Sequence, residues 1–303
     1  MGCSRILKCS GFVKLPTHSS GGFDHADVHL ESGSVFVAHT ANDTIEVIDG
    51  EKLAHSLTIK GCPEASGVLC TQEVGLVFAA ARGAGKVCCW DAPKRTLIGE
   101  IQVGPKPNGL AWDSQLEHLL VADVEDFEAR LVDPSSMKTL RSQKLPGRPR
   151  WCVYDSKTRH FLVNIRDPAG VALLDSETMQ KVSFIQVSSK GPHGLDLGRR
   201  ENLAFAACDT GTVVFLDLLS GEESASVPIS GAPDVIWHNE RRDLLYCAIA
   251  NPGFIDVIDT RSRIVKERVK TEVGAHTFAF DRERQRLYVL YPKSCQAAVY
   301  EES

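Results

Sequence analysis

Residues 191–197 read GPHGLDL, a Gly-Pro turn, one histidine and a short apolar run. The stretch recurs in altered form as DHADVH (24–29), ASGVLC (65–70), PNGLAW (107–112), PRWCVY (149–154), PDVIWH (233–238) and AHTFAF (275–280). Two further series run in step with it. Apolar runs end at His39, Ala81, Asp123, Asn164, Cys208, Ile249 and Tyr291, and a third set ends on an acid at Asp49, Asp91, Asp133, Asp175, Asp217, Asp259 and Glu301, every step of the acidic set being 42 residues. Each unit thus holds three runs rich in β-branched and aromatic residues and a more polar fourth, such as TLIGEIQV (96–103), with Gly, Asn, Asp and Pro between them.

Four strands per unit of about 42 residues is the signature of a propeller blade. Seven units predict an all-β, seven-bladed β-propeller with four-stranded blades, spanning 1–303 as a single domain. The seventh unit stops after its third strand, while RILKCSGFVK (5–14) precedes the first unit as a spare strand. That N-terminal strand is expected to complete the last blade and close the ring, which removes the raw sheet edges an open array would leave. A solenoid would need polar capping repeats, and neither end of the repeat series looks like one.

The units resemble the YVTN repeat of the YncE-like seven-bladed propellers: GPHGLDL, the YVL of 288–290 and the VIDT of 257–260 stand in that repeat's order and spacing, and the resemblance covers essentially the whole chain. It implies the fold and leaves the function open, because members of that family are functionally diverse. It also brings nucleic-acid binding into view, against which stand a net charge of −5 and the lack of a basic stripe.

Composition is that of an ordinary globular chain, 43% hydrophobic and 24% charged. The first residues lack the apolar core of a signal peptide, no stretch reaches membrane-spanning length, and a cytoplasmic location is expected. A myristoylation signal is discounted because Ile6 stands where Ser or Thr is required. The ten cysteines, at 3, 9, 62, 70, 88, 89, 152, 208, 247 and 295, show no CxxC spacing and are expected to be reduced and mostly buried.

Taking the place of His193 in every unit gives a ring of His25, Ser66, Asn108, Arg150, His193, Asp234 and His276 at one mouth of the central channel. All seven are polar and their chemistry differs, which packing alone does not demand. Blades 5, 6, 7 and 1 are contiguous in a closed ring, so His193, Asp234, His276 and His25 should converge. Three imidazoles and a carboxylate suit Zn, Mn, Fe or Cu, so a divalent transition metal is the expected cofactor. His39 or Asp234, whichever is not a ligand, is the expected general base. Arg150, Asn108, Ser66, Arg82, Arg166 and Tyr291 are the expected substrate contacts, with Trp151 as a pocket wall.

The function expected on these grounds is a metal-dependent enzyme, a lactonase-like hydrolase or a lyase, acting on a small anionic molecule held by Arg150. The alternative is a non-catalytic scaffold that binds a protein partner or acidic peptide at the same mouth. The remaining histidines, at 18, 29, 55, 118, 160 and 238, read as structural or exposed, and the other tryptophans, at 90, 112 and 237, as packing between blades.

Overall fold

The structure, a computed structural model, describes residues 5–303; Cys3 lies outside them. Seven four-stranded antiparallel sheets follow one another around a central channel. Six are contiguous in sequence. The seventh is completed from outside: Leu7–Lys14 pairs antiparallel with Gln296–Glu302 as the outermost strand of blade 7, from Leu7↔Glu302 to Lys14↔Gln296. Closure by the N-terminal strand is as expected. Among the described residues the helical segments are the short turns Thr40–Asn42 and Arg82–Ala84, and no helix is long and apolar enough to cross a membrane.

There is no single core. Buried apolar side chains form seven clusters, one at each interface between neighbouring blades. The second strands explain this: Ser34–His39 and Leu244–Ile249 are buried along their whole length, because a middle strand is covered on both faces by adjacent blades. The outermost strand Lys138–Lys144 is almost wholly exposed, which is why the fourth run of each unit reads as polar. At the interface of blades 7 and 1, Val13 of the closing strand packs with Val28, Val35 and Tyr288.

The acidic period has a local cause. Asp49 accepts the amides of Glu51 and Lys52, Asp175 those of Glu177 and Thr178, Asp217 those of Leu219 and Ser220, and Asp259 those of Arg261 and Ser262. Each aspartate therefore closes the hairpin between third and outermost strands with an Asx turn. In blade 7 the outermost strand arrives from elsewhere, no hairpin is needed, and Glu301 pairs with Arg286 instead.

Ring residues precede the inner strand only in blades 1 and 7, where the strands are Ala26–His29 and Phe278–Asp281. In blades 2 to 6 each is the second residue of its strand, at a register shift such as Pro192 to Leu195 or Pro233 to Ile236. A bulge re-aims a side chain that regular pairing would direct between blades. In blades 2, 3 and 5 a glycine after the ring residue completes the device: a Cβ on Gly194 would lie 2.3 Å from the Asp234 carbonyl oxygen, and one on Gly109 2.5 Å from that of Arg150. Neighbouring inner strands meet through that missing Cβ.

Candidate functional site

Blades 4, 5 and 6 build the centre of the mouth. His193 lies between two carboxylates, its Nε2 3.0 Å from Asp234 Oδ1 and its Nδ1 3.2 Å from Asp209 Oδ1. Asp209 in turn holds Arg166, Nη2 to Oδ2 2.8 Å. The result is one line of alternating charge, Asp234, His193, Asp209 and Arg166, crossing three blades. Burial acts to lower the pKa of His193, but the charge of Asp234 and the hydrogen bonds to both aspartates outweigh it and push the imidazole up to about 9. Burial likewise acts to raise Asp234, and the His193 charge overrides it, holding the carboxyl well below the usual range. His193 is an imidazolium at neutral pH, with both ring nitrogens donating.

A second chain of charge occupies blades 1 to 3. His25 Nε2 is 3.3 Å from Asp24 Oδ1, and Asp24 Oδ2 is 3.8 Å from Arg82 Nη1. Arg82 also donates to Asn108 Oδ1 at 3.3 Å and lies 3.6 Å from Glu64. The His25 ring packs on Trp151 from the far side of the mouth, centroids 4.2 Å apart. Burial lowers the His25 pKa more than Asp24 and Asp234 raise it, so this imidazole is the neutral partner of the ring.

Arg150 stands between the two chains and belongs to neither. Among the described residues it has no carboxylate partner, and its Nε is buried without a hydrogen bond. Burial and the neighbouring charge of Arg148 lower its pKa, with Asp234 acting against them; a guanidinium nonetheless stays protonated.

The expected metal ligands therefore meet, but not as a metal shell. His193 has both nitrogens on carboxylates, and His276 donates Nδ1 to the Gly274 carbonyl at 2.9 Å while its Nε2 is 3.9 Å from Asp234 Oδ2. Among the described residues no group of three or more His, Cys, Asp or Glu side chains is arranged to hold a metal. Asp209 and Asp24, which flank the ring, take up one nitrogen each of His193 and His25.

Other expected contacts lie apart from the mouth's free space. Ser66 is wholly buried and its hydroxyl donates to the Pro107 carbonyl at 3.2 Å, tying blade 2 to blade 3. His39 is fully buried and turns away from the ring: Nδ1 meets Glu46 at 3.1 Å and Nε2 meets His18 at 2.8 Å, which leaves it no proton-transfer partner at the mouth. Tyr291 points outward along its blade to the Tyr300 hydroxyl, 2.8 Å away. Their strand-end positions set the height of these residues in the blade, and the strand's side-chain alternation sends them between blades. Arg82, Arg166 and Asn108 do reach the mouth, where protein partners already engage them.

Of the residues missed, Asp24 carried a signal, since the same place holds Pro in blades 3 to 6 and Ala in blades 2 and 7. Asp209 directly follows the second strand of blade 5, the place that Arg82 and Arg166 hold in blades 2 and 4, so the signal that singled out those arginines pointed to it as well.

No family model matches the chain, and no curated protein sequence does. Solved structures do. A chain of hydrazine synthase from Kuenenia stuttgartiensis superposes with a TM-score of 0.85 at 13% identity, over 95% of this chain and 97% of that one. A chain of a mitotic checkpoint complex superposes with a TM-score of 0.82 at 10% identity, over 97% and 91%. At such identities the likeness is one of fold: the chain is a seven-bladed propeller, and the resemblance to the YVTN family rests on the repeat residues alone.

Proposed function

We propose that this propeller is a recognition module whose ring mouth receives the anionic group of a partner, a carboxylate at an acidic chain end or in an acidic peptide, with Arg150 as the primary contact. The observation that carries this reading is the largely buried guanidinium of Arg150, without a carboxylate partner among the described residues and set between two chains in which Arg166 and Arg82 have theirs. A buried cation without a partner is costly in the free protein, and a bidentate carboxylate removes that cost on binding. The two flanking ion-pair chains hold Arg166 and Arg82 still, so the mouth needs little reordering to bind. That one fold neighbour is a chain of a protein complex is compatible with this use of the fold and no more than that.

The test is titration with a fluorescent acidic peptide carrying a free C-terminus, against its amidated, neutral counterpart. Arg150→Ala should weaken binding of the acidic peptide 10-fold or more, a loss of about 1.4 kcal/mol or greater, and added salt should weaken it further. His25→Ala with His276→Ala should leave it largely intact. Equal binding of both peptides, or indifference to Arg150, overturns the reading. Stoichiometric Zn, Mn, Fe or Cu in protein purified without a histidine tag would instead favour a metal-dependent enzyme.

A further inference from the structure

Beneath the ring, the channel holds a cavity of about 330 Å³ that none of the seven ring residues lines. Trp151 separates the two spaces, lining this cavity while packing against His25 of the ring. The cavity opens the other way. Arg199, Trp237 and Arg282 line both it and a cleft of about 470 Å³ on the opposite face of the propeller, so the two adjoin.

We propose that this blind channel is a second binding site, for a small aromatic carboxylate that enters from the face opposite the ring, with its ring system inside and its acid at Arg199 and Arg282.

Three observations meet here. The volume is that of a pocket for a small organic molecule. The walls carry aromatic and aliphatic side chains, Trp237 stacked on Phe280 at 4.1 Å between centroids together with Leu69, Trp112 and Val153, beside the polar Asp27, Thr71, Gln72 and Glu73. A flat ligand would extend an existing stack. The entrance mixes Asp196, Glu240 and Glu283 with three arginines, of which Arg199 and Arg282 are under-engaged. Arg199 donates to the Tyr154 carbonyl at 3.3 Å and has no carboxylate ion pair among the described residues, and the nearest carboxylate to Arg282 is Glu283, 3.9 Å away. Two guanidinium groups with spare donors at the rim of an aromatic-walled cavity fit one carboxylate.

The acids nearby fix the orientation. Asp27, in the cavity wall, accepts the amides of Val28 and Cys70, and Asp196, in the cleft, accepts those of Leu197 and His238. Each bonds across to the next blade, so both are structural. A negative group deep in the channel would face Asp27; at the rim it meets Arg199 and Arg282 instead.

The experiment uses the whole chain and three probes of one shape: 2-naphthoate, uncharged 2-naphthalenemethanol and cationic 2-naphthylmethylamine, followed by calorimetry and tryptophan fluorescence. The expected result is saturable one-to-one binding with 2-naphthoate preferred. Arg199→Ala with Arg282→Ala should weaken naphthoate at least 10-fold and leave the alcohol unchanged, while Leu69→Trp should block both by filling the shaft. Both arginines are exposed, so the double variant should fold even if the Leu69 variant does not. Arg150→Ala should have no effect, which separates this site from the ring mouth. Preference for the amine, absence of saturable binding, or naphthoate binding unchanged in the arginine double variant overturns the proposal.

Discussion

The two ends of the channel are made by the same seven inner strands, yet at the ring end charge answers charge across blades, and at the opposite end Arg199 and Arg282 stand with their donors largely unused. The ring end is also where inner strands approach through missing Cβ atoms, as Gly194 does to Asp234. At the opposite end Gly198 faces side chains, the ring of Phe205 3.0 Å and the Cβ of Leu203 3.4 Å from where its own Cβ would be. One end is thus locked to its neighbours by backbone contact and ion pairs, and the other is bounded by side chains that can move. The lesson is that repeating a strand seven times fixes its path and leaves the chemistry at its two tips free to diverge.

The contrast can be broken most severely through the glycines. Gly194→Val should cost about 4 kcal/mol or prevent folding, because a carbonyl cannot yield to a side chain at that distance, while Gly198→Ala should cost about 1 kcal/mol; urea midpoints measure both. His193→Ala comes next. It strips Asp234 of its main partner and should cost about 3 kcal/mol in thermal unfolding.

The third prediction reads the same pair by pH. His193 has its folded pKa raised from 6.5 to about 9, so its contribution is fully present below 6.5 and disappears as pH rises through about 9. The loss should be on the order of 2–3 kcal/mol. Asp234, lowered on folding, loses its contribution as pH falls below about 4. Stability should therefore fall on both sides of a broad plateau, and Arg199→Ala with Arg282→Ala should leave that profile unchanged.

The smallest effect has the opposite sign. Arg150→Met removes an unpartnered, largely buried cation and keeps most of its apolar stem, so it should stabilise the free protein by about 0.5–1 kcal/mol while weakening anion binding. A lowered melting temperature would show that Arg150 holds the fold together rather than waiting for a partner.

The fold was legible because one physical device recurs in step: an aspartate closing each hairpin, a doubly covered strand, a bulged strand at the channel. The ring was legible for the same reason, although Ser66 is wholly buried and lies apart from the mouth's free space. What could not be read was which group each imidazole would choose. Asp209 follows a second strand and Asp24 precedes a ring residue, and the repeat gives the place of each without telling which imidazole it meets: Asp209 meets His193 and Asp24 meets His25. His39 was misplaced by half a strand period, since position along a strand does not tell which face a side chain takes. Of the ten cysteines, eight are buried and Cys9 is exposed among those described, and none is bridged there.

Closure by Leu7–Lys14 carries a consequence for how the chain is made. The closing strand finds its partner, Gln296–Glu302, only when all the blades between them have been translated. Until then six blades can assemble in order of synthesis, while the seventh lacks its outer edge and Phe12, 55% exposed even in the finished ring, has no sheet to rest on. Pairings so distant in sequence form slowly, so the half-built propeller, with an open strand at each end, is the form most exposed to proteases and to pairing with another chain.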